Sequence, residues 1–535
     1  MFERLARWLR AAPTLQLAVV TPVGPGHAEL YAQCRASVEA AWRHSHGPFA
    51  ALEFIAIDDG RGELGRSRAR NLGVERAAAA AADWLFFLDA DDLLVEGAFA
   101  AVAPYIADHD AVWGMILGLS PEATRPHLRI PQIISMGSID DLLLFDPFLT
   151  LQMGHFVRTA VAQSVPFDET MDAGEDFDYY LRLWAAHRGV KVAREFFINR
   201  HARRSGGPRA ASAEEWGRAV RKRQSDECER RGFAADAPQL RALRNARAAE
   251  LQAFCRQQGL VGAADCAALS AQMPYHGVVE VNEYEGGTLR LFTENDDAIC
   301  AQLAWSGEYR PFAAALWQAV AGAGGAVVDA GGGNGFYALL AARIAPAAKI
   351  IFIESPAGNL ARARINFMEN EATNIDIVAA AAADFSGDAR FSLPSDNHMP
   401  PLVGETDLNA TRAVQCMRID DALRAAAVDA VAAMHIGCGN DASAVLRGMA
   451  QALAASQPDL LIDMPDAAAA GRVDELLRPL GYLCRAIDEA RRELAPLPSN
   501  CVAPDGGLLQ LFASARPAAE VARIAASAPG CMRDD

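Results

Sequence analysis

The chain has 535 residues, 51% of them hydrophobic, with 67 acidic against 50 basic side chains and a net charge of −17. That balance disfavours a nucleic-acid partner, and no run approaches the length of a membrane span or a signal-peptide core. Ten cysteines without a C-x-x-C pair, in a chain with apolar content for at least two domains, fit a reducing cytoplasm better than a disulfide scaffold.

Residues 1–12, MFERLARWLRAA, set Phe2, Leu5, Trp8 and Leu9 on one helical face and Arg4, Arg7 and Arg10 on the other. Such a helix either rests on an anionic membrane surface or packs on the following domain. Leu17–Val20 reads as a buried strand before Thr21-Pro22, and Phe54–Gly60 (FIAIDDG) as a second one ending in Asp58 and Asp59. Gly65–Ala82 is a short Arg-rich turn followed by an Ala-rich helix. Trp84–Asp92 (WLFFLDADD) is a third strand that ends in Asp89, Asp91 and Asp92. Like charges so close repel, and oxygen ligands are what Mg²⁺ or Mn²⁺ prefers, so a divalent cation would relieve the cluster. A solvated acidic turn is the competing reading for an isolated D-x-D. Three strands ending in loops predict an open α/β sheet with its ligand site at the strand carboxyl ends. Downstream, Phe177, Tyr180, Leu181 and Trp184 recur at helical spacing, which puts Glu175 and Asp176 in the first turn of a helix.

Four of these pieces, IDDG, Ala69-Arg70-Asn71-Leu72-Gly73, LDADD and GEDFDYYLRLW, resemble family 2 glycosyltransferases of the GT-A fold over roughly residues 14–205. The resemblance implies that Thr21, Pro22, Asp58, Asp59, Arg70, Asn71, Asp89 and His201 line the site of a UDP- or GDP-linked sugar. It implies further that Asp89 and Asp91 hold the metal and that Asp176, beside Glu175, is the catalytic base. The loop Thr21–Gly26 departs from the family's usual P-x-Y-N-like sequence.

Residues 211–270 are charged, rich in Ala and Arg and free of strand signals apart from short breaks, and read as helices joining the halves or as a subdomain of either neighbour. Ala326–Gly335 (AVVDAGGGNG) is then a short strand running into a glycine-rich turn and a helix, and Lys349–Ile353 is a second strand ending in Glu354. Glycines at a strand-to-helix turn let a nucleotide approach the backbone, and a carboxylate at the second strand tip can accept ribose hydroxyls. DAGGGNG, Ile353-Glu354-Ser355-Pro356, the helix end Asn366–Asn370, Ala383–Gly387 and Arg418–Leu423 resemble FkbM-type methyltransferases over residues 276–515. The resemblance implies that Asp329, Gly331, Gly333, Asn334, Gly335 and Glu354 hold S-adenosylmethionine, with Asp384 near the adenine. Where the family has K-I-D-x-E-G, this chain has His435-Ile436-Gly437-Cys438-Gly439-Asn440. The replacement leaves two outcomes open: an altered acceptor with His435 as the proton-accepting group, or a domain that no longer transfers methyl. His435, Cys438 and Asp441 as a metal site is disfavoured, because a strand-to-loop stretch does not hold them on one face.

The expected order is an amphipathic helix (1–12), a GT-A domain (13–210), a helical linker (211–275), a Rossmann-like methyltransferase domain (276–515) and a tail (516–535). The expected activity is metal-dependent, inverting glycosyl transfer to a glycan, lipid-linked or protein acceptor, with O-methylation by the second half. The alternative is a monofunctional glycosyltransferase whose second half is a binding module. Lysine occurs only at Lys191, Lys222 and Lys349 against abundant Arg and Ala, a bias expected of a bacterial, cytoplasmic protein, with contact to the inner face of the cell membrane through residues 1–12.

Overall fold

A computed structural model describes residues 15–200, 211–282, 284, 287–392, 411–437, 442–497 and 509–528. The helix expected at 1–12, His201, Cys438 and Asp441 lie outside the described residues. The chain divides into two compact units, Met1–Leu251 and Gln252–Asp535. Both are α/β, as the sequence predicts.

The first unit carries β1 (Leu15–Val23), β2 (Phe49–Asp58), β3 (Trp84–Phe87), β4 (Leu93–Leu94), β5 (Ala111–Leu119), β6 (His127–Leu128), β7 (His155–Arg158) and β8 (Gly189–Arg200). They form one sheet in the order β2-β1-β3-β7-β5-β8-β4, with β6 on β5. β1 runs parallel to both β2 and β3, whereas β7 is antiparallel to β3, so the sheet is mixed rather than wholly parallel. Val19, Phe86 and Phe156 sit in its core, and all four residues of β3 are buried, as an interior strand covered on both faces requires. The helix Gly65–Ala79 presses onto β1 at Gly73, where an added Cβ would meet a Val20 methyl at 2.2 Å. Because β1 leads to β2 on one side and β3 on the other, its carboxyl end is a switch point, where α/β sheets bind ligands.

Helices Ala213–Arg231, Pro238–Gln258 and Cys266–Gln272 occupy the expected connector. They do not form a separate body. Gln224 donates to the Leu142 and Phe145 carbonyls, Arg247 pairs with Asp141 at 2.8 Å, and the division between units falls inside the second of these helices.

The second unit carries β9 (Gly277–Val281), β10 (Leu289–Thr293), β11 (Ala326–Ala330), β12 (Ile350–Glu354), β13 (Ile375–Ala379), β14 (Ala381–Ala382), β15 (Gly387–Ser392), β16 (Thr411–Met417), β17 (Val431–Ile436), β18 (Asp459–Met464), β19 (Leu483–Asp488), β20 (Glu493–Ala495) and β21 (Leu509–Ser514). Its main sheet runs β13-β12-β11-β17-β18-β21-β19-β20. The first five strands are parallel, and β21 enters antiparallel to β18. This is a doubly wound, Rossmann-like order, with the switch point at β11 between β12 and β17. Residues 516–535, expected as a tail, contain the helix Ala518–Ser527, which buries Val521, and Arg516 just before it pairs with Asp459 of β18 at 2.8 Å.

Candidate active sites

At the carboxyl end of β3 the chain turns sharply, the Asp92 N–H donating to the Asp89 carbonyl at 3.0 Å. The three carboxylates then go to different environments. Asp89 accepts from Arg70 Nη2 at 3.0 Å. Asp92 is buried and accepts the Arg200 N–H at 3.0 Å and Asn199 Nδ2 at 3.2 Å. Asp91 stays between them, with His27 and Arg200 as its nearby basic groups. Burial, then the charge of Asp89, raises the Asp91 carboxyl above its usual range, and burial, then Asp91 and Asp89, lifts Asp92 well above it. A cation relieves such a cluster. Among the described residues no group of three or more His, Cys, Asp or Glu side chains could hold a metal by itself. A Mg²⁺-type site takes one or two carboxylates and completes its shell with water and substrate phosphate. Asp91, with Asp89 as its second carboxylate, fits that donor set.

The second group centres on Arg70. Its side chain is 3% exposed and its two terminal nitrogens divide between Asp89 and Glu175, the latter at 3.1 Å. Glu175 is itself buried and also faces Arg66 at 3.6 Å. It therefore points into the protein, not off the helix Glu175–Ala186 into solvent as its first-turn position suggests. Asp176 separates from it: its Oδ1 accepts the Phe177 N–H at 2.8 Å. Burial and then Glu175 push its carboxyl up to about 7, against the opposing charge of Arg70. A group titrating near neutrality is suited to general-base work.

Three residues expected at the nucleotide are engaged in local structure. Asp59 accepts the Leu64 and Gly65 N–H groups at 3.0 and 2.9 Å, which fixes the entry to the Gly65–Ala79 helix. Asp58 closes a turn onto the Gly60 N–H at 2.9 Å. Asn71 is a bracket, donating to the Phe167 carbonyl and Glu169 and accepting the Phe167 N–H, each at 2.9 Å. Thr21 and Pro22 lie inside β1, which runs on to Val23, and pair in register with Ala56 and Ile57. Sequence reasoning missed Arg200, which donates to the Asp91 carbonyl and to Gln33 and so ties the acidic turn to the helix Ala28–His44. Its only sequence signal was its place at the end of a β-branched and aromatic run.

In the second unit the glycine-rich turn leaves β11 with Gly331, Gly333 and Gly335 all at positive φ, a path an L side chain rarely follows. Glu354, at the tip of β12, accepts the Gly333 N–H at 2.7 Å and the Ser355 N–H at 2.9 Å. Burial pushes it up to about 7 against those two hydrogen bonds. Asn334 is buried, donates to Asp297 at 2.6 Å and accepts from the Phe336 N–H, so its side chain shapes the turn. Asn366 and Asn370 bind the backbone of β10, and Asn366 also donates to the Asn334 carbonyl at 2.7 Å. Asp384 is held by Arg447 at 3.0 Å.

His435 is engaged in a buried pair. Asp329 and His435 are register partners in adjacent parallel strands, with 2.7 Å from Oδ1 to Nδ1, and Asp463 stands 3.7 Å from Nε2. Burial alone would lower the imidazole, but Asp329 and then Asp463 hold it raised to about 9. Its short contact with Asp329 favours the charged imidazole over a free proton acceptor, and its Nε2 completes no hydrogen bond. At Gly437 a Cβ would meet the Gly331 carbonyl oxygen at 2.4 Å, so a side chain there would displace the glycine-rich turn.

No protein-family model matches the chain, and no curated protein matches it in sequence. Among solved structures it is similar to Staphylococcus aureus TarS 1–349 in complex with UDP-GlcNAc, at 14% identity over 49% of this chain and 82% of that one, TM-score 0.29. It is also similar to the methyltransferase FkbM from Methylobacillus flagellatus KT, at 14% identity over 50% of this chain and 59% of that one, TM-score 0.27. A third similarity is to precorrin-6y C5,15-methyltransferase from Geobacter metallireducens, at 13% identity over 38% and 86%, TM-score 0.25. Similarities this weak carry no functional argument, so the functional reading rests on the residues themselves. Among the described residues, no helix is long and apolar enough to cross a membrane.

Proposed function

We propose that the first unit is an inverting glycosyltransferase acting on a UDP- or GDP-linked sugar. The observation that carries the reading is the buried Arg70, which binds Asp89 of the acidic turn at 3.0 Å and Glu175 of the helix amino terminus at 3.1 Å and so brings Asp91 and Asp176 to one end of the sheet, Asp176 with its carboxyl pushed up to about 7. Asp176 takes the proton of an acceptor hydroxyl, whose oxygen forms the new bond at the anomeric carbon as the bond to the diphosphate breaks. General-base help of this kind contributes about 10²–10⁴ in rate. A Mg²⁺ or Mn²⁺ held by Asp91 and Asp89 would neutralise charge on the departing diphosphate. Arg70 fixes Asp89 and Glu175, Arg200 fixes the acidic turn, and the acceptor is a glycan, lipid-linked or protein hydroxyl.

The second unit is read as an S-adenosylmethionine-dependent O-methyltransferase. The glycine-rich turn, Asn334 and Glu354 would hold the cofactor, which supplies an activated methyl group, and Asp384 would lie near its adenine. Displacement at a sulfonium methyl depends chiefly on alignment, so the loss of acids after β17 does not forbid it. The ion-paired state of His435 also favours a second reading, in which this unit binds cofactor or acceptor without transferring methyl. Contact of residues 1–12 with a membrane surface belongs to the same proposal.

The deciding experiment is a donor-hydrolysis screen over UDP-glucose, UDP-N-acetylglucosamine, UDP-galactose and GDP-mannose with Mg²⁺ and Mn²⁺. One donor is expected to turn over, with activity abolished in Asp91→Ala; no diphosphate released from any donor removes the reading. Liposome pelleting of the full chain and of a form lacking residues 1–12 tests the membrane contact, and equal sedimentation rejects it.

A further inference from the structure

Asn359 is 1% exposed, in the first turn of the helix Ala357–Glu369 that follows β12. It stands close enough to Glu354 to favour that group's charged form. The approach to Glu354 is that of a hydrogen-bonding partner, yet neither the nitrogen nor the oxygen of the amide reaches the distance and angle of a closed hydrogen bond. A buried amide left unmade on both sides destabilises the fold, and one is retained where something else gains from it.

Glu354 is where the gain falls. Two of its acceptor positions are taken by the Gly333 and Ser355 N–H groups. A carboxylate offers about four such positions, and a vicinal diol brings two O–H donors that bind well only to the ionised form. Asp329 on β11 is the charged neighbour of Glu354, and it opposes ionisation. We infer that Asn359 is a positioning residue for the cofactor's ribose: its amide donates to Glu354 when the diol arrives and keeps that carboxylate charged and aimed. The inference rests on the reading of this turn as an S-adenosylmethionine site. No motif or spacing in the sequence separates Asn359 from an ordinary helix residue.

Calorimetric titration of the full chain with S-adenosylmethionine and S-adenosylhomocysteine tests it, from about pH 6.5 to about pH 9, in wild type, Asn359→Leu, Glu354→Gln and the double variant. Asn359→Leu is expected to weaken binding about tenfold near neutrality. The gap should narrow as pH rises, because alkali then ionises Glu354 without help. In the Glu354→Gln background Asn359→Leu should change affinity by less than about twofold. Asn359→Asp, almost the same shape, places a second carboxylate beside Glu354 and should weaken binding further than Asn359→Leu. A loss of equal size in both backgrounds at every pH would mean ordinary packing and overturn the inference, as would wild-type affinity in Asn359→Leu. Absence of heat from the wild-type protein is a different result: it removes the cofactor reading, and the role of Asn359 falls with it.

Discussion

Asp329 and His435 face each other across β11 and β17 with 2.7 Å between carboxylate and imidazole, at the point where the glycine-rich turn leaves the sheet. Both are buried, and each offsets much of the other's cost, with Asp329 also accepting the Ala338 N–H at 2.9 Å. The turn and the strand beside it are locked by this pair.

A pH dependence of stability follows. His435 is held at about 9, above the ordinary imidazole value near 6.5. Its contribution is therefore complete below about pH 6.5 and lost as pH rises through about 9, a change of roughly 3 kcal/mol if undiluted. Urea unfolding of the full chain across that range should show the second unit weakening. His435→Lys, which stays charged, should shift the weakening to higher pH, and identical profiles for the two proteins would refute the assignment.

Arg70 supports both Asp89 and Glu175 from a buried position. Arg70→Met leaves two carboxylates without their cation, one of them buried, and is expected to destabilise the first unit by about 3–5 kcal/mol. Calorimetric melting should show a lowered first transition with the second unchanged. A melting profile like wild type would mean that the pair is not formed.

Donor turnover should climb as pH rises through about 7 and then level off, because Asp176 acts as the carboxylate and titrates there. Asp176→Asn should lower turnover by about 10²–10⁴ with nucleoside diphosphate binding retained. A pH-rate profile flat between about pH 5 and pH 9 would show that another group takes the proton.

Gly437 abuts the Gly331 carbonyl so closely that a methyl group there would sit 2.4 Å from the oxygen. Gly437→Ala should displace the glycine-rich turn and weaken S-adenosylmethionine binding about tenfold or more, read by calorimetry on protein with a wild-type melting temperature. Unchanged affinity would mean that the turn yields freely.

Much of this protein was legible in its sequence. The strand runs of LAVV, FIAID and WLFF, the glycine-rich turn after AVVDA and the helix opening at Glu175 are set by local periodicity and backbone freedom, and they emerge where the pattern puts them. The clustering of acids at the end of β3 is also local, since a strand tip displays whatever follows it. What the tertiary structure alone decided is which ionisable groups stay open and which are consumed. Glu175 and Asp176 are neighbours of one chemical type, yet one is locked by Arg70, 105 positions away, and the other is left near neutrality. Asn71 and Asp59 became struts, and His435 became one half of a buried pair with Asp329, 106 positions distant. Charge state and hydrogen-bond occupancy depend on burial and on partners brought together by the sheet, and no spacing along the chain records those distances.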